Sequence, residues 1–164
     1  MNKLKKLRSL DELTSFLSGC QNLVVTTGAF DVPHIGHIRY LRKARSYGDT
    51  LVLILHSDEL ISSRKGPGRP IRAESIRVKR MSYGKVYDCV DYIYVARTQA
   101  DVYEAISTLK PRTLVTSKTT EDVENSPDTM SVLFSDLMEV VVLEAQAKVH
   151  STDIIEKRGL VKTA

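Results

Sequence analysis

Apolar positions along this chain fall into two alternating patterns. Leu23 to Thr27, Thr50 to Leu55, Tyr92 to Ala96, Thr113 to Thr116 and Val140 to Leu143 are short, aliphatic and β-branched, as strands are. The first two are near-continuous apolar runs, which fits strands covered on both faces of a parallel sheet. Helical spacing fills the intervals. Ser9-Leu10-Asp11-Glu12 is a capping box, and Leu13, Phe16 and Leu17 supply the apolar stripe of a leading helix. Ile38, Leu41 and Ala44 mark a second helix, which Gly48 stops. Residues 73–86 read as a third, weakened at Gly84, and Val102, Ala105, Ile106 and Leu109 as a fourth, ended by Pro111. Ser126-Pro127-Asp128 opens a fifth by cap, proline and acid, with Met130, Leu133, Phe134 and Leu137 facing inward. His150-Ser151-Thr152-Asp153-Ile154-Ile155 begins the last. Between the second strand and the third helix, Arg64-Lys65-Gly66-Pro67-Gly68-Arg69-Pro70 reads as a basic loop, because two glycines and two prolines deny it helix or ladder. Strand and helix alternate, so right-handed βαβ crossovers should build an α/β, doubly wound, parallel five-stranded sheet.

The first strand runs into the most informative stretch, Gly28-Ala29-Phe30-Asp31-Val32-Pro33-His34-Ile35-Gly36-His37. His34 and His37 are three apart and share one face at a helix start, where unpaired N–H groups and the helix dipole favour an anion. Gly36 between them allows close approach to the backbone. A plainer reading also fits the spacing: one histidine caps the helix and the other is solvated. The second strand ends in His56-Ser57-Asp58, at the edge where ligands gather in open α/β sheets. At the last helix, Ser151 and Thr152 suit phosphate contact or simple N-capping equally well.

Length and composition narrow the class. The 164 residues suit one domain, taken here as 1–164, with 42% hydrophobic and 27% charged residues. No apolar run approaches a membrane span, and Asp11 and Glu12 interrupt any signal-peptide core, so a cytoplasmic protein without a membrane partner is expected. Cys20 and Cys89 stand alone and read as packing residues, with no disulfide or metal spacing. The net charge is +4 and the pI about 9.1. Arg64, Lys65, Arg69, Arg72, Arg77, Lys79 and Arg80 crowd one segment, as a phosphate-binding site or a solvated basic face would require. Aromatic residues are only 6% and no stacking cluster accompanies the arginines, which argues against a nucleic-acid partner. Both the dinucleotide fingerprint GxGxxG and a P-loop are absent.

Gly28-Ala29-Phe30-Asp31 followed by His34-Ile35-Gly36-His37 resembles the signature of the HxGH nucleotidyltransferases, in their cytidylyltransferase-like branch. From about Leu10 to Arg158 the chain looks most like the nucleotidyltransferase domain of bacterial ADP-heptose synthases, and next like glycerol-3-phosphate cytidylyltransferases. The shared features, in order, are the Ser-Leu-Asp-Glu-Leu helix, the HxGH turn, the Lys-Gly-Pro-Gly-Arg-Pro-Ile loop, the Val-Asp-Tyr strand entry and Ser-Thr-x-Ile-Ile. The resemblance implies a Rossmann-like fold of the HxGH nucleotidyltransferase type. It also implies transfer of a nucleoside monophosphate from ATP or CTP to a small phosphorylated acceptor, with Mg²⁺ accompanying the triphosphate and no dedicated metal site in the protein. By analogy His34, His37 and Lys65 are catalytic. Gly28, Ala29, Phe30, Asp31, Gly36, Arg69, Arg77, Ser151 and Thr152 bind substrate. The family's helix arginine is Arg77 counted from Pro70 and Arg80 counted back from Val90-Asp91; the shorter count favours Arg77. Relatives commonly form homodimers, commonly carry asparagine where this chain has His56, and have a lysine-glycine-glycine-aspartate turn in place of residues 117–122. They also differ at Gln146-Ala147-Lys148-Val149-His150, so the acceptor pocket should differ from that of a heptose-phosphate enzyme. A non-catalytic nucleotide sensor is the rival from another class, and intact His34, Gly36, His37 and Lys65 speak against it.

Overall fold

A computed structural model describes residues 7–82, 88–118 and 129–144. The elements are α1 (Leu10–Leu17), β1 (Leu23–Gly28), α2 (Ile35–Arg45), β2 (Thr50–His56), α3 (Asp58–Lys65), α4 (Glu74–Ser82), β3 (Tyr92–Ala96), α5 (Gln99–Leu109), β4 (Thr113–Ser117), α6 (Met130–Phe134) and β5 (Glu139–Leu143). All strand pairs are parallel, in the order β3-β2-β1-β4-β5. The chain therefore winds outward from β1 in one direction, returns, and winds out in the other. The order reverses between β1 and β4, so the crevice at the carboxyl edge of those strands is the natural ligand site.

The central strands explain this arrangement. Leu51, Leu53 and Leu55 join Val24, Tyr40, Leu41, Ala44, Val78 and Met81 in a core on the face covered by α2 and α4. Val52 and Ile54 join Leu13, Val25, Leu60, Val102, Ala105, Ile106, Met130 and Phe134 on the opposite face. The period-2 alternation within one apolar run thus feeds two cores. Thr26, fully buried in β1, shares a 2.8 Å hydrogen bond with the Tyr40 hydroxyl and donates to Val115 O at 2.8 Å, which satisfies its hydroxyl inside the sheet.

Several sequence expectations need correction. Residues 58–65 form a helix, so Arg64 and Lys65 belong to its last turn and the basic loop begins only at Gly66. Gly66 caps that helix at φ +83°, which glycine adopts without strain. The helix expected over 73–86 is Glu74–Ser82 within the described residues. Thr129, whose side chain accepts from Val132 N–H, is the N-cap of α6, later than the expected start at Ser126, which lies outside the described residues. In so short a helix only Met130 and Phe134 reach the core; Leu133 and Leu137 are exposed. Phe16 of α1 is also exposed, with the Arg8 guanidinium 5.7 Å from its ring centre, and Leu13 alone of the expected stripe is fully buried.

Gly48, between α2 and β2, is required for space. A Cβ there would lie 2.1 Å from Asn22 O and 2.7 Å from Val24 Cγ2. Gly48→Ala should therefore destabilise the fold by about 1–3 kcal/mol through enforced backbone displacement. Urea unfolding with an unchanged midpoint would show that the Asn22–Val24 backbone yields without cost.

Candidate functional site: a histidine-capped helix at the carboxyl edge of the sheet

The turn from β1 into α2 is built by its own side chains. Phe30 has φ +46° and a buried ring that folds over Gly28, where an added Cβ would come within 2.6 Å of Phe30 Cε2. The same ring stands 5.0 Å, centre to centre, from His37. His34 is the N-cap of α2: its Nδ1 accepts from Gly36 N–H at 3.1 Å, and His37 Nδ1 accepts from His34 N–H at 3.3 Å. The two imidazoles thus form a reciprocal capping box, a role usually taken by Ser or Thr with Glu or Gln. With Nδ1 accepting, each neutral ring carries its hydrogen on Nε2, on the ring edge away from the capped N–H groups. The rings lie 4.0 Å apart. Burial, followed by the neighbouring His34 and Lys65, pushes the His37 pKa down to about 3.

Asp31, 2% exposed, holds the basic loop against this turn. Its Oδ2 accepts from Arg69 Nε and Ile71 N–H, each at 2.9 Å, and its Oδ1 from Arg72 N–H at 2.9 Å. Arg77 is wholly buried. It donates from Nη1 to Ala29 O (2.8 Å) and His56 O (2.7 Å), from Nε to Arg72 O (3.0 Å) and from Nη2 to Asp58 Oδ1 (2.8 Å). The ends of β1 and β2, the start of α3 and the loop before α4 therefore converge on one guanidinium. Lys65 is an exposed residue at the end of α3, yet its ammonium has a lowered pKa. Desolvation is the main cause and Arg69 and Arg64 add to it, while Asp31 opposes them. His56 closes β2 and is 8% exposed; burial first, then Arg64, Lys65 and Arg77, pushes its pKa down to about 3.

The structure thus gathers Gly28, Ala29, Phe30, Asp31, His34, Gly36, His37, Lys65, Arg69 and Arg77 around the ends of β1 and β2. Within that group Phe30, Asp31 and Arg77 brace the site from inside. Arg80 is exposed on α4. Ser151, Thr152, His150 and residues 119–122 lie outside the described residues. Sequence reasoning missed α3, although Ser57 before Asp58-Glu59, Leu60-Ile61 inward and Gly66 at the end are its cap, core contact and stop. It also missed the anchoring roles of Asp31, a charge just past an apolar strand end, and of Arg77, one of several basic residues on a helix. Among the described residues, no group of three His, Cys, Asp or Glu is placed to hold a metal ion, and no helix is long and apolar enough to cross a membrane.

A five-stranded parallel sheet in this order, opening into a histidine-capped helix after its first strand, is an α/β fold of the nucleotidyltransferase type. The chain belongs to the cytidylyltransferase-like family, whose pattern matches residues 25–157. It is 38% identical over 114 residues to the bifunctional protein HldE of Geobacter metallireducens, covering 67% of this chain and 22% of that protein. With the HldE of Aliarcobacter butzleri it shares 34% over 118 residues, 70% of this chain and 24% of that one. The chain therefore spans about a quarter or less of the length of these curated relatives. Among solved structures, a lipopolysaccharide core biosynthesis protein from Thermoplasma volcanium matches with a TM-score of 0.56 at 25% identity, over 79% of this chain and 98% of that one. Pantothenate synthetase from Thermus thermophilus has the same TM-score at 15% identity, over 85% and 61%, and shares the fold.

Two predictions follow from the buried groups. His37 and His56 have pKa values near 3 in the folded chain against an ordinary 6.5. Above pH 6.5 both states are neutral and the folded state bears no penalty. As pH falls from 6.5 toward 3, the unfolded chain binds protons that the folded chain refuses, so stability declines through that window. Chemical denaturation between pH 7 and 4 should show this decline, and His56→Asn should make it shallower; equal slopes would mean His56 titrates normally. Arg77→Met leaves Asp58 and three carbonyls without their donor and should cost about 3–5 kcal/mol, whereas Arg80→Met on the exposed face should cost less than about 0.5 kcal/mol. Equal losses in the two variants would refute the anchoring role of Arg77.

Proposed function

We propose that this chain is a pyrophosphate-releasing nucleotidyltransferase that moves a nucleoside monophosphate from ATP or CTP to a phosphorylated sugar or polyol. The observation that carries this reading is the reciprocal capping box of His34 and His37, which fixes two imidazoles at the positive end of α2 on the ligand edge of a cytidylyltransferase-like sheet. In the reaction, an acceptor phosphate oxygen attacks the α-phosphorus. The new P–O bond forms as the bond to the bridging oxygen breaks, and pyrophosphate departs with that electron pair. Such transfers need positioning and compensation of developing negative charge, not a protein nucleophile.

The residues divide that work. His34 and His37 present Nε2–H groups to the triphosphate and to the charge that develops at the α-phosphorus. His37 meets the phosphates as a neutral ring, because its Nδ1 accepts from His34 N–H and burial pushes its pKa down to about 3. Lys65 and Arg69 hold phosphate oxygens; Gly28, Ala29 and Gly36 keep the backbone open to the nucleotide. The resemblance also gives phosphate contacts to Ser151 and Thr152, which lie outside the described residues. Phe30, Asp31 and Arg77 position these groups. Asp31 and Asp58 are already bonded to arginines and backbone N–H groups, so a Mg²⁺ ion would take its ligands chiefly from triphosphate oxygens and water, with the chain meeting the phosphates around it. When bound, that ion neutralises phosphate charge. A sugar phosphate is the acceptor class favoured by the resemblance to the ADP-heptose synthase domain and by the 34–38% identity to HldE proteins; a glycerol-3-phosphate-type polyol is the alternative.

A pyrophosphate-release screen of four nucleoside triphosphates against phosphorylated sugars and polyols should find one productive pair. With that pair, His37→Ala should lower kcat by about 10²–10³ while nucleotide affinity changes far less. Lys65→Ala, at an exposed helix end, should lower turnover with little change in Tm. No heat and no Tm shift with any nucleotide, or wild-type turnover in His37→Ala, would overturn the reading.

A further inference from the structure

His56 is a different kind of imidazole from the capping pair. Its Nε2 is buried and has no hydrogen-bond partner among the described residues. Packing alone would be served by an aliphatic side chain such as Leu55 or Ile54 before it, so the polar ring asks for another explanation. Arg69 Nη2 and Arg72 Nε are likewise buried without a partner among the described residues. The three residues that carry these nitrogens belong, through other atoms, to one bonded framework. Arg77 donates to both His56 O and Arg72 O, while Asp31 accepts from Arg69 Nε and Arg72 N–H. Arg77 and Asp31 therefore tether all three around the same strand ends.

The charge balance names the ligand. His56 faces Arg64 and Lys65 from α3 and Arg77 from α4. Asp58 and Asp31, the carboxylates of the framework, are each already bonded to an arginine. An added cation would be repelled and a neutral group would leave the excess positive charge uncompensated. An oxyanion with several acceptor oxygens would engage the idle donors and reduce the repulsion together.

We propose that His56 Nε2, Arg69 Nη2 and Arg72 Nε form a subsite for a phosphoryl oxyanion of a substrate, a reading that rests on the nucleotidyltransferase function above. The phosphoryl group belongs either to the acceptor or to the triphosphate, and the same experiment separates these sources.

The test is a two-bond ¹H–¹⁵N histidine spectrum of the full chain, with the His56 signals assigned by His56→Asn. One sample receives Mg²⁺ with the α,β-methylene analogue of ATP or CTP, a second inorganic phosphate, and a third both. A shift of His56 Nε2 in the nucleotide sample assigns the subsite to the triphosphate; a shift only when phosphate is added assigns it to the acceptor. Calorimetry of His56→Phe and of Arg72→Met should then show that ligand weakened about tenfold or more, with the other ligand within about twofold. An unmoved His56 Nε2 in all three samples, or wild-type affinities in both variants, overturns the subsite. Failure of the nucleotidyltransferase reading looks different: His37 then stays unmoved by either nucleotide analogue, while the phosphate sample still decides the fate of His56.

Discussion

The buried guanidinium of Arg77 is the constraint on which the carboxyl edge of the sheet depends. A charge removed from water is tolerated only when nearly every donor is matched, and here three carbonyls and a carboxylate surround it. Two of those carbonyls, Ala29 O and His56 O, belong to the ends of adjacent strands β1 and β2. The ladder between the two strands runs to Gly28 and Leu55, and one rigid planar group links them again just beyond it. Arg72 O ties the basic loop to the same group, and Asp31 fastens the loop a second time through Arg69, Ile71 and Arg72. A segment that contains Gly66, Pro67, Gly68 and Pro70 is thereby held without regular structure of its own.

The histidine pair shows how stability and function share one side chain. A helix start must satisfy its unpaired N–H groups, and serine or threonine would do so. Imidazole does so through Nδ1 and still has a second nitrogen on its far edge. Spacing of three residues is what a reciprocal capping box needs, and it also puts two donors 4.0 Å apart by ring centre at the positive end of a helix. Capping therefore uses one edge of each ring and leaves the other for the proposed anion contact, so the two roles are compatible.

Legibility in the sequence followed the range of the interaction. Strands β1 and β2 were readable because a five- or six-residue aliphatic run has few alternatives, and the HxGH turn because its chemistry is local. Helix α3 was not, because only Leu60 and Ile61 are buried and its final turn carries Arg64 and Lys65, which look like the start of the basic loop. The bracing role of Asp31 depends on partners 38 to 41 residues away, and no spacing rule joins them. Likewise Arg77 and Arg80, one helical turn apart, are the same residue type to a sequence reader. Only the fold shows that one is sealed against two strand ends and the other faces solvent.

The site's electrostatics give these separate devices a common consequence. His37 and His56 both have lowered pKa values, burial being the first cause in each, and Lys65 acts on both. Lys65 is itself lowered, by desolvation and by Arg69 and Arg64. Lys65, Arg64 and Arg69 are thus gathered beside two neutral imidazoles, and the bonds of Asp31 hold the loop that carries Arg69 in place. On the function proposed above, a polyphosphate would bring opposite charge to these cations and acceptor oxygens to the imidazole N–H groups. Affinity of that kind would fall on the anionic part of a substrate, which would leave discrimination among bases and acceptors to groups further from the phosphates.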